Sequence, residues 1–594
     1  MNINVALEDL IRNNPIFNGR SRSKDKLNEY FDNFSKSYSN LNDCIIVGNS
    51  GVADRFMTAI GSNEFVAIAD PGTNVTNINA ATKRVRGVKV ISVPEVVKEK
   101  FETCIILENQ ISKETNNYIV SESKNIISVF DEIKLTCTEA LGAYCEFSAS
   151  YTTEHERTMF LRRKYEGCSQ NMKSYYLESI MFSFLSARDF VSYYKYSHKY
   201  IEGGYDSDSL LSMFNEKLDI LLGDIKNALQ SRNKLRDILF VWNDGVRYDE
   251  FLKMDYLGNE LAQKSFVFDS AYATVYDTRA TMATIFNKRY QIDDYYRSED
   301  DCDIDNSLLV KKLKNYGYVI KGRYSPNLSD KKNTTDMDLY DLGSRKLWNC
   351  ISQVIDEKSP AFIFIHELPE THNPYHNPYV DKDYYFIRGC KKDDYENQIN
   401  QSRSYWDAQL KFYMQFFDYE NYKIFMSDHG KPLDIKELIT LQETYKNEYV
   451  HVMLEISGNG ILPGRGKELF SLINIYELIC QILDDKIDIN SLYSDEIMLQ
   501  SIDRYNPGDI RKKLEDGTEK RNLMSYRAIK TKKDMLVIFR DGVIKYFDEN
   551  EKSTEFSDRE ELNSRVSYLK NKVGDNFVDI YADDFFAASR QLYE

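Results

Sequence analysis

The sequence lacks the features that mark secreted, membrane-spanning and nucleic-acid-binding proteins. Its nine cysteines form no C-x-x-C pair, so we expect neither a disulfide framework nor a zinc knuckle, and we infer a reducing cytoplasm. No apolar run approaches the roughly 20 residues of a membrane-spanning helix, so we expect no transmembrane anchor, and the N-terminal residues lack the pattern of a secretory signal. Lys and Arg total 77 against 93 Asp and Glu, and the net charge of −16 argues against nucleic acid as a partner.

The composition is that of an ordinary globular protein, with 42% hydrophobic and 29% charged residues among 594. At roughly 150 residues per domain this length corresponds to about three or four domains. No internal repeat or low-complexity segment interrupts the chain. We therefore analyse the sequence as a series of folded regions.

Residues 1–150 show short apolar runs that alternate with helical patterns. The clearest runs are CIIVGNSG at 44–51 and FVAIAD at 65–70, with further runs to about residue 131. This alternation predicts βαβ units with a parallel sheet, and we expect a small Rossmann-like α/β domain here. Gly48 and Gly51 follow the first strand and Asp70 ends the second, as in nucleotide-binding sheets. The full G-x-G-x-x-G pattern is absent, so a turn that binds nothing is the alternative to a nucleotide site.

Residues 151–235 predict helices, because apolar residues recur at spacings of three and four with charges between them. We interpret this region as a helical connector. Residues 236–594 again contain apolar runs that end in polar residues. This pattern is typical of strands whose ends form a site in an open α/β sheet. The segment KKDMLVIFRDGVIKYFDE at 532–549 predicts a hairpin with Asp541-Gly542 at its turn. The expected class is α/β, with a smaller Rossmann-like domain and the helical connector preceding a larger α/β domain.

The histidines are concentrated in one part of the chain. Five of the seven fall between 366 and 451, and imidazole serves both as a metal ligand and as an acid or base near neutral pH. The alternative is chance placement on solvated loops. The positions of three favour a site, since His366 and His429 end or follow strand-like runs and His451 begins one.

Acidic residues at the ends of strand-like runs are further candidate metal ligands. Asp428-His429-Gly430 closes the run YKIFMSDHG, and Asp244 closes DILFVWND before Gly245. Oxygen and nitrogen ligands from distant strands suit a divalent cation such as Zn²⁺ or Mn²⁺. A lone Asp-His-Gly is equally an ordinary turn, but the second Asp-Gly and the histidines favour the metal.

Thr278 is a candidate nucleophile. Asp277 can cap a helix that opens with this threonine, and a hydroxyl at a helix N-terminus faces free N–H groups that can hold an anionic ester. A metal would lower the pKa of the hydroxyl. On this segment alone, an ordinary threonine in a first helical turn is the simpler interpretation.

Taken in order, these segments resemble the alkaline phosphatase/sulfatase superfamily over about 235–550. The segments that carry the resemblance are DILFVWNDGVRYDEF, TRATMATIFN, FIFIHELPETHNPY, FMSDHGKP, HVMLEISGNGILPGR with LFSLINIYELICQIL, and SYRAIKTKKDMLVIFRDGVIKYFD. TRATMATIFN is similar to the nucleophile helix of the phosphoethanolamine-transferase branch. The resemblance implies an alkaline-phosphatase-like central sheet and a metal-dependent enzyme acting on esters.

The resemblance also implies residue roles. Asp244, Thr278, Asp428 and His429 would share one metal, and Thr278 would accept the phosphoryl group, with Thr274 as the alternative if the alignment slides. His372, or less favourably His366, would contact the transferred group or the leaving oxygen. The remaining candidates are His451 as a later site histidine, His376 as a loop residue, and Arg247 as either a structural or a phosphate-binding residue.

Two departures from the family narrow the function. Sulfatases mature a Cys or Ser ahead of a Pro-x-Arg turn, whereas the matching stretch here is VYDTRA, so sulfate ester hydrolysis by that route is not expected. The family's surface-glycan transferases carry membrane helices that this sequence lacks. The leading hypothesis is a phosphoryl or phosphodiester transferase that modifies a small-molecule or glycan-precursor phosphoester. The alternatives are a phosphodiesterase or phosphatase with the same site, and a nucleotide-sensing binding protein with a relict site.

Overall fold

The computed structural model describes most of the chain. The described ranges are 2–18, 41–48, 64–70, 84–107, 122–129, 165–290, 304–323, 342–367, 369–372, 392–418, 420–433, 443–501, 526–539, 543–553 and 559–573, with single positions between 29 and 162. They form two compact units, one of residues 1–225 with 340–345 and one of residues 226–339 with 346–594. The three-part division at residues 150 and 235 stays a prediction. Within the described ranges, every helix is too short or too polar to cross a membrane.

A six-stranded sheet forms the centre of the first unit. Its strands are β1 Cys44–Val47, β2 Ala67–Ala69, β3 Arg84–Val85, β4 Val88–Ile91, β5 Thr103–Ile106 and β6 Asn125–Ser128. The spatial order is β3-β4-β2-β1-β5-β6, and every pairing is parallel except that of β3 with β4. Without the short edge strand, the order in chain numbering is 3-2-1-4-5, which is the order of doubly wound dinucleotide-binding sheets.

Helices precede and follow this sheet in the chain. They are α1 Ile3–Asn13, α2 Lys173–Ser186, α3 Phe190–Glu202 and α4 Leu210–Gln230, the last of which crosses the boundary between the units. The helical prediction for the described part of 151–235 is therefore confirmed.

A seven-stranded sheet forms the centre of the second unit. Its strands are β7 Ile238–Asn243, β8 Phe266–Phe268, β10 Val319–Arg323, β11 Ala361–Glu367, β12 Tyr422–Met426, β13 Leu454–Ser457 and β14 Gly464–Gly466, and β9 Ala271–Tyr272 pairs with β15 Phe470–Ser471 outside it. The order is β10-β11-β7-β12-β13-β8-β14, with β10, β11, β7 and β12 parallel. All residues of β7 and β11 are buried, as expected for parallel strands covered on both faces. The predicted α/β class is confirmed.

The remaining elements are helices and a separate antiparallel sheet. The helices are α5 Tyr248–Phe251, α6 Thr278–Asn287, α7 Leu308–Asn315, α8 Gly343–Val354, α9 Pro369–His372, α10 Lys392–Met414, α11 Asn447–Val450, α12 Ile475–Leu483 and α13 Arg559–Val573. An antiparallel sheet contains β16 Glu496–Ser501, β17 Tyr526–Thr531, β18 Asp534–Phe539 and β19 Ile544–Asp548. β18 pairs antiparallel with β19, which confirms the predicted hairpin, while its Asp541-Gly542 turn lies outside the described residues.

The parallel strands bring the predicted site residues to one edge. Because β7, β11 and β12 run in the same direction, their carboxyl ends lie together. Trp242 of β7 pairs with His366 of β11 on one side and with Met426 of β12 on the other. The residues that follow these strands are therefore neighbours.

A buried ion pair holds the opposite, amino-terminal edge. Arg232 donates through Nε and Nη2 to the carboxylate of Asp237, at 2.6 and 2.7 Å, and donates further to the carbonyls of Val354 and Ser359. Asp237 also accepts the backbone N–H of Ala361 at 2.8 Å. Both side chains are almost fully buried, so this network ties the start of β7 to the start of β11.

We expect Arg232→Met to lower the free energy of unfolding of the second unit by about 3–5 kcal/mol, because Asp237 would keep a buried charge without its partner. The three tryptophans, Trp242, Trp348 and Trp406, are buried in this unit. Tryptophan fluorescence during urea unfolding therefore reports this unit alone. The control is Lys532→Ala, which breaks a half-exposed pair with Glu468 and should cost less than about 1 kcal/mol. Equal effects of the two changes would contradict the prediction.

A second buried acid makes the stability of this unit depend on pH. Glu455 lies in β13 and is fully buried. Burial raises the pKa of Glu455 to about 8, with a further contribution from the Asp407 carboxylate and an opposing one from the Ser265 hydroxyl. The folded state therefore binds this proton more tightly than the unfolded state. Its stabilising effect is full below about pH 4.5 and is lost as the pH rises through about 8.

We expect Glu455→Gln to stabilise the second unit more at pH 8.5 than at pH 5.5, because the amide has no proton to lose. The difference should be on the order of a few kcal/mol. Urea unfolding followed by tryptophan fluorescence at both pH values measures it. The same effect at both pH values would show that the carboxyl does not titrate in this range.

Candidate metal and nucleophile site

Two carboxylates meet where β7 and β12 end. Asp244 follows β7 directly and Asp428 lies two residues beyond β12; both are buried. The turn after Asp244 needs glycine, since Gly245 has a φ of 74°. The backbone N–H of Gly245 donates to Asp428 Oδ1 at 3.1 Å. The turn that carries one carboxylate thus also binds the other.

His429 faces both carboxylates through one nitrogen. Its Nδ1 lies 2.8 Å from the carbonyl of Gly430, and because a carbonyl can only accept, Nδ1 carries a proton. Nε2 lies 3.7 Å from Asp244 Oδ1 and 3.5 Å from Asp428 Oδ2. In the neutral ring Nε2 is then a lone-pair donor, which is the form that binds metals.

Thr278 completes the cluster from the start of α6. Asp277 caps this helix by accepting the N–H of Ala280 at 2.8 Å, as the sequence predicted. The half-buried Thr278 hydroxyl lies 3.3 Å from both Asp244 Oδ2 and His429 Nε2. Thr274 is instead fully buried. Of the two threonines considered as nucleophile, Thr278 is the one in contact with the carboxylates.

The chemistry of these groups fits a divalent cation. Ligand atoms of Asp244, Asp428 and His429 all lie within 4.8 Å of one another. Asp428 Oδ2 is buried and receives no hydrogen bond from the described residues. Burial, and then the neighbouring Asp244 carboxylate, raises the pKa of Asp428. Two carboxylates and an imidazole suit Zn²⁺ or Mn²⁺, and a cation would remove the repulsion that opposes ionisation here.

His366 belongs to the same cluster. It points from β11 with Nε2 at 3.1 Å from Asp244 Oδ2, and its ring packs edge-on against Trp242. The backbone of His372 ends α9, but its side chain and all of His376 lie outside the described residues. The choice between His366 and His372 as the acid stays open.

Arg247 and His451 make other contacts. Arg247 donates to Asp249 at 2.8 Å and lies 3.6 Å from Glu250, so in this structure its charge is paired with acids. The sequence placed His451 at the start of a strand, but it follows α11 and precedes β13, because only the residues from 454 onward pair with β12. Its ring stacks between two tyrosines and bonds the Asp269 carbonyl at 2.9 Å.

Three buried cations near the cluster were not singled out from the sequence. Lys346 of α8 donates to the His366 carbonyl at 2.9 Å, and Arg403 of α10 donates to the Gly245 carbonyl at 2.8 Å. Burial, with the nearby charge of Arg403, lowers the pKa of Lys431 to about 7. Only Lys431, beside the Asp-His-Gly turn, carried a local sequence signal. The other two come from helices distant in the sequence.

The predicted nucleotide residues lie at the carboxyl edge of the first unit's sheet. Gly48 follows β1, and a Cβ at this position would lie 3.0 Å from the Cβ of Leu107. Asp70 follows β2 and is nearly buried. Gly51 lies outside the described residues. Nucleotide binding here stays a prediction.

No protein-family model matches the chain, and no curated protein matches it. Among solved structures it is similar to the phosphonate monoester hydrolase of Agrobacterium radiobacter, at 13% identity over 57% of this chain and 95% of that one, with a TM-score of 0.42. A protein in the alkaline phosphatase superfamily from Vibrio parahaemolyticus aligns at 12% identity over 59% and 95%, with a TM-score of 0.40. A 2-O glycosaminoglycan sulfatase aligns at 9% identity over 59% and 94%, with a TM-score of 0.42.

The similar structures thus include a phosphonate monoester hydrolase, a sulfatase and a protein of the alkaline phosphatase superfamily, to which the sequence motifs have a resemblance. Similarities with TM-scores near 0.4 do not indicate the reaction. The reaction must be inferred from the geometry of the cluster.

We expect Asp428→Asn to weaken binding of Mn²⁺ or Zn²⁺ at least about tenfold, because the ligand loses its charge. The metal-free variant should be no less stable than the wild type, since one of two repelling carboxylates is neutralised. Isothermal titration of the purified chain and metal content after dialysis measure the binding. Glu455→Gln is the matched control, because it makes the same carboxyl-to-amide change at a buried position of this sheet but should leave the affinity unchanged. Equal metal affinity in the two variants would contradict the assignment.

Proposed function

We propose that the chain is a metal-dependent enzyme that transfers or hydrolyses phosphate esters, with Thr278 as its nucleophile. The observation that carries the proposal is the contact of the Thr278 hydroxyl with both Asp244 and His429, at 3.3 Å each. Thr278 is not fully buried, which is a requirement for the approach of an ester. It also stands at the first turn of α6, where N–H groups not used within the helix can hold anionic oxygens.

The residues of the cluster then have distinct tasks. A divalent cation held by Asp244, Asp428 and His429 would stabilise developing negative charge as a Lewis acid. Thr278 loses its proton to water while its oxygen bonds to phosphorus and the bond from phosphorus to the leaving oxygen breaks. His372 or His366 gives a proton to that leaving oxygen.

The second step frees the threonine. Water, or the hydroxyl of an acceptor, attacks the phosphothreonine and gives its proton to the same histidine, while Thr278 regains a proton from water. With a sugar hydroxyl as acceptor the enzyme is a transferase that modifies a surface-glycan precursor, which is the leading form of the proposal. With water it is a phosphodiesterase or phosphatase.

Phosphate is favoured over sulfate by the nucleophile itself. The residue that contacts the carboxylates is a threonine, and neither a Cys nor a Ser in VYDTRA is present for maturation. Convergence of all four proposed metal-site residues also favours an enzyme over a nucleotide-sensing protein with a relict site. A cytoplasmic location belongs to the same proposal.

We expect Thr278→Ala to reduce kcat for a phosphodiester by at least about 10³-fold, because no other proposed group bonds to phosphorus. Thr278→Ser should keep a measurable part of the activity, since the hydroxyl remains. The assay is turnover of bis(4-nitrophenyl) phosphate and of 4-nitrophenyl sulfate by the full chain with Mn²⁺ or Zn²⁺ added. A covalent adduct on the peptide containing Thr278, detected by mass spectrometry, would report the first step directly.

Thr274→Ala is the companion variant. It removes a hydroxyl in the same segment that is fully buried and makes no hydrogen bond to the described residues, so activity should stay near that of the wild type. Loss of activity in Thr274→Ala with retention in Thr278→Ala would place the nucleophile four residues earlier. Faster turnover of the sulfate ester than of the phosphodiester would overturn the choice of phosphate.

A further inference from the structure

One face of α10 is buried behind the cluster. It carries Ser402, Arg403, Trp406 and Asp407, all at most 3% exposed. Ser402 donates to the carbonyl of Glu370 at 2.8 Å. Trp406 donates to the side chain of Asn243, the last residue of β7, at 2.7 Å. Because these residues recur at helical spacing, a single helix contacts several of the segments that form the site.

Among these four residues of α10, Arg403 contacts the residues adjacent in sequence to Asp244 and His372. Its Nη2 donates to the Gly245 carbonyl at 2.8 Å and its Nε to the Thr371 carbonyl at 3.2 Å. Its Nη1 forms an ion pair with Glu250. The first carbonyl directly follows Asp244 and the second directly precedes His372. One guanidinium thus joins the turns that carry two proposed site residues.

Gly245 connects the hydrogen bond from Arg403 with both carboxylates of the cluster. Its carbonyl is bound by Arg403, and its N–H donates to Asp428 Oδ1 at 3.1 Å. Glycine at a positive φ imposes little steric restraint of its own, so hydrogen bonds must fix the orientation of this turn. A rotation of the turn would move Asp244 and withdraw a donor from Asp428 together.

We propose that Arg403 is a positioning residue that sets the affinity of the Asp244–Asp428–His429 cluster for a divalent cation. The proposal rests on the proposed function, because it assumes that these residues bind the cation. Arginine suits the task, since its planar fork fixes the directions of several N–H donors at once. A lysine could keep the charge beside Glu250 but not this geometry.

Arg232 is the matched control for a purely structural role. It is likewise a buried, ion-paired arginine that donates to main-chain carbonyls. It lies beside the start of β7, whereas Arg403 lies beside the end of the same strand. Removal of either should destabilise the second unit, but only removal of Arg403 should change the metal site.

The test measures Mn²⁺ affinity by isothermal titration of the full chain, for the wild type, Arg403→Met, Arg403→Lys and Arg232→Met. All are compared at a temperature where tryptophan fluorescence shows them folded. We expect Arg403→Met to weaken binding about tenfold or more, Arg403→Lys to weaken it less, and Arg232→Met to stay within about twofold of the wild type.

Three results would overturn the proposal. The first is wild-type affinity in folded Arg403→Met. If Arg403→Met does not fold, the second is a wild-type affinity for Mn²⁺ in Arg403→Lys. The third is an equal loss in Arg232→Met, which would mean that loss of stability alone weakens the site. The proposed function fails separately, if the wild type binds neither Mn²⁺ nor Zn²⁺.

Discussion

The repulsion between two buried carboxylates is the constraint on which the second unit's site depends. Asp244 and Asp428 are withdrawn from water side by side, where the local dielectric is low. His366, His429 and the Gly245 N–H all face them. Even with these groups beside it, burial and then the neighbouring Asp244 carboxylate hold the pKa of Asp428 above its ordinary value. A bound cation would stabilise the ionised form of both carboxylates. The burial of two neighbouring acids therefore favours the proposal of a metal site.

The parallel sheet is what allows such a cluster to form. Strands β11, β7 and β12 align so that His366 and Met426 both pair with Trp242. Residues 183 positions apart in sequence, Gly245 and Asp428, are thereby brought into contact. Because the strands themselves are buried on both faces, polar side chains collect beyond the strand ends. The ligands therefore lie just beyond the apolar runs.

The same arrangement explains what could be predicted from the sequence. An apolar run that ends in Asp or His is a local signal, and it sufficed to predict that Asp244, Asp428 and His429 lie together. The helix cap at Asp277 is also local, and it placed Thr278 correctly at a helix start. The preference for His372 over His366 stays a prediction, because the side chain of His372 lies outside the described residues. The start of β13 was predicted three residues early, since apolar character continues through the preceding bridge.

Arg403 and Lys346 could not be found from the sequence for a different reason. Each lies on a helix whose polar residues look like a solvated surface, and each is buried only because the helix packs behind a strand end. The contrast with Arg232 is instructive. Both arginines bind main-chain carbonyls beside β7, one near its start and one near its end. At the amino edge, an arginine bound to main-chain carbonyls stabilises the start of the strands. At the carboxyl edge, the same kind of contact holds the turn that follows Asp244. Its role is therefore set by position along the strand, which no local pattern encodes.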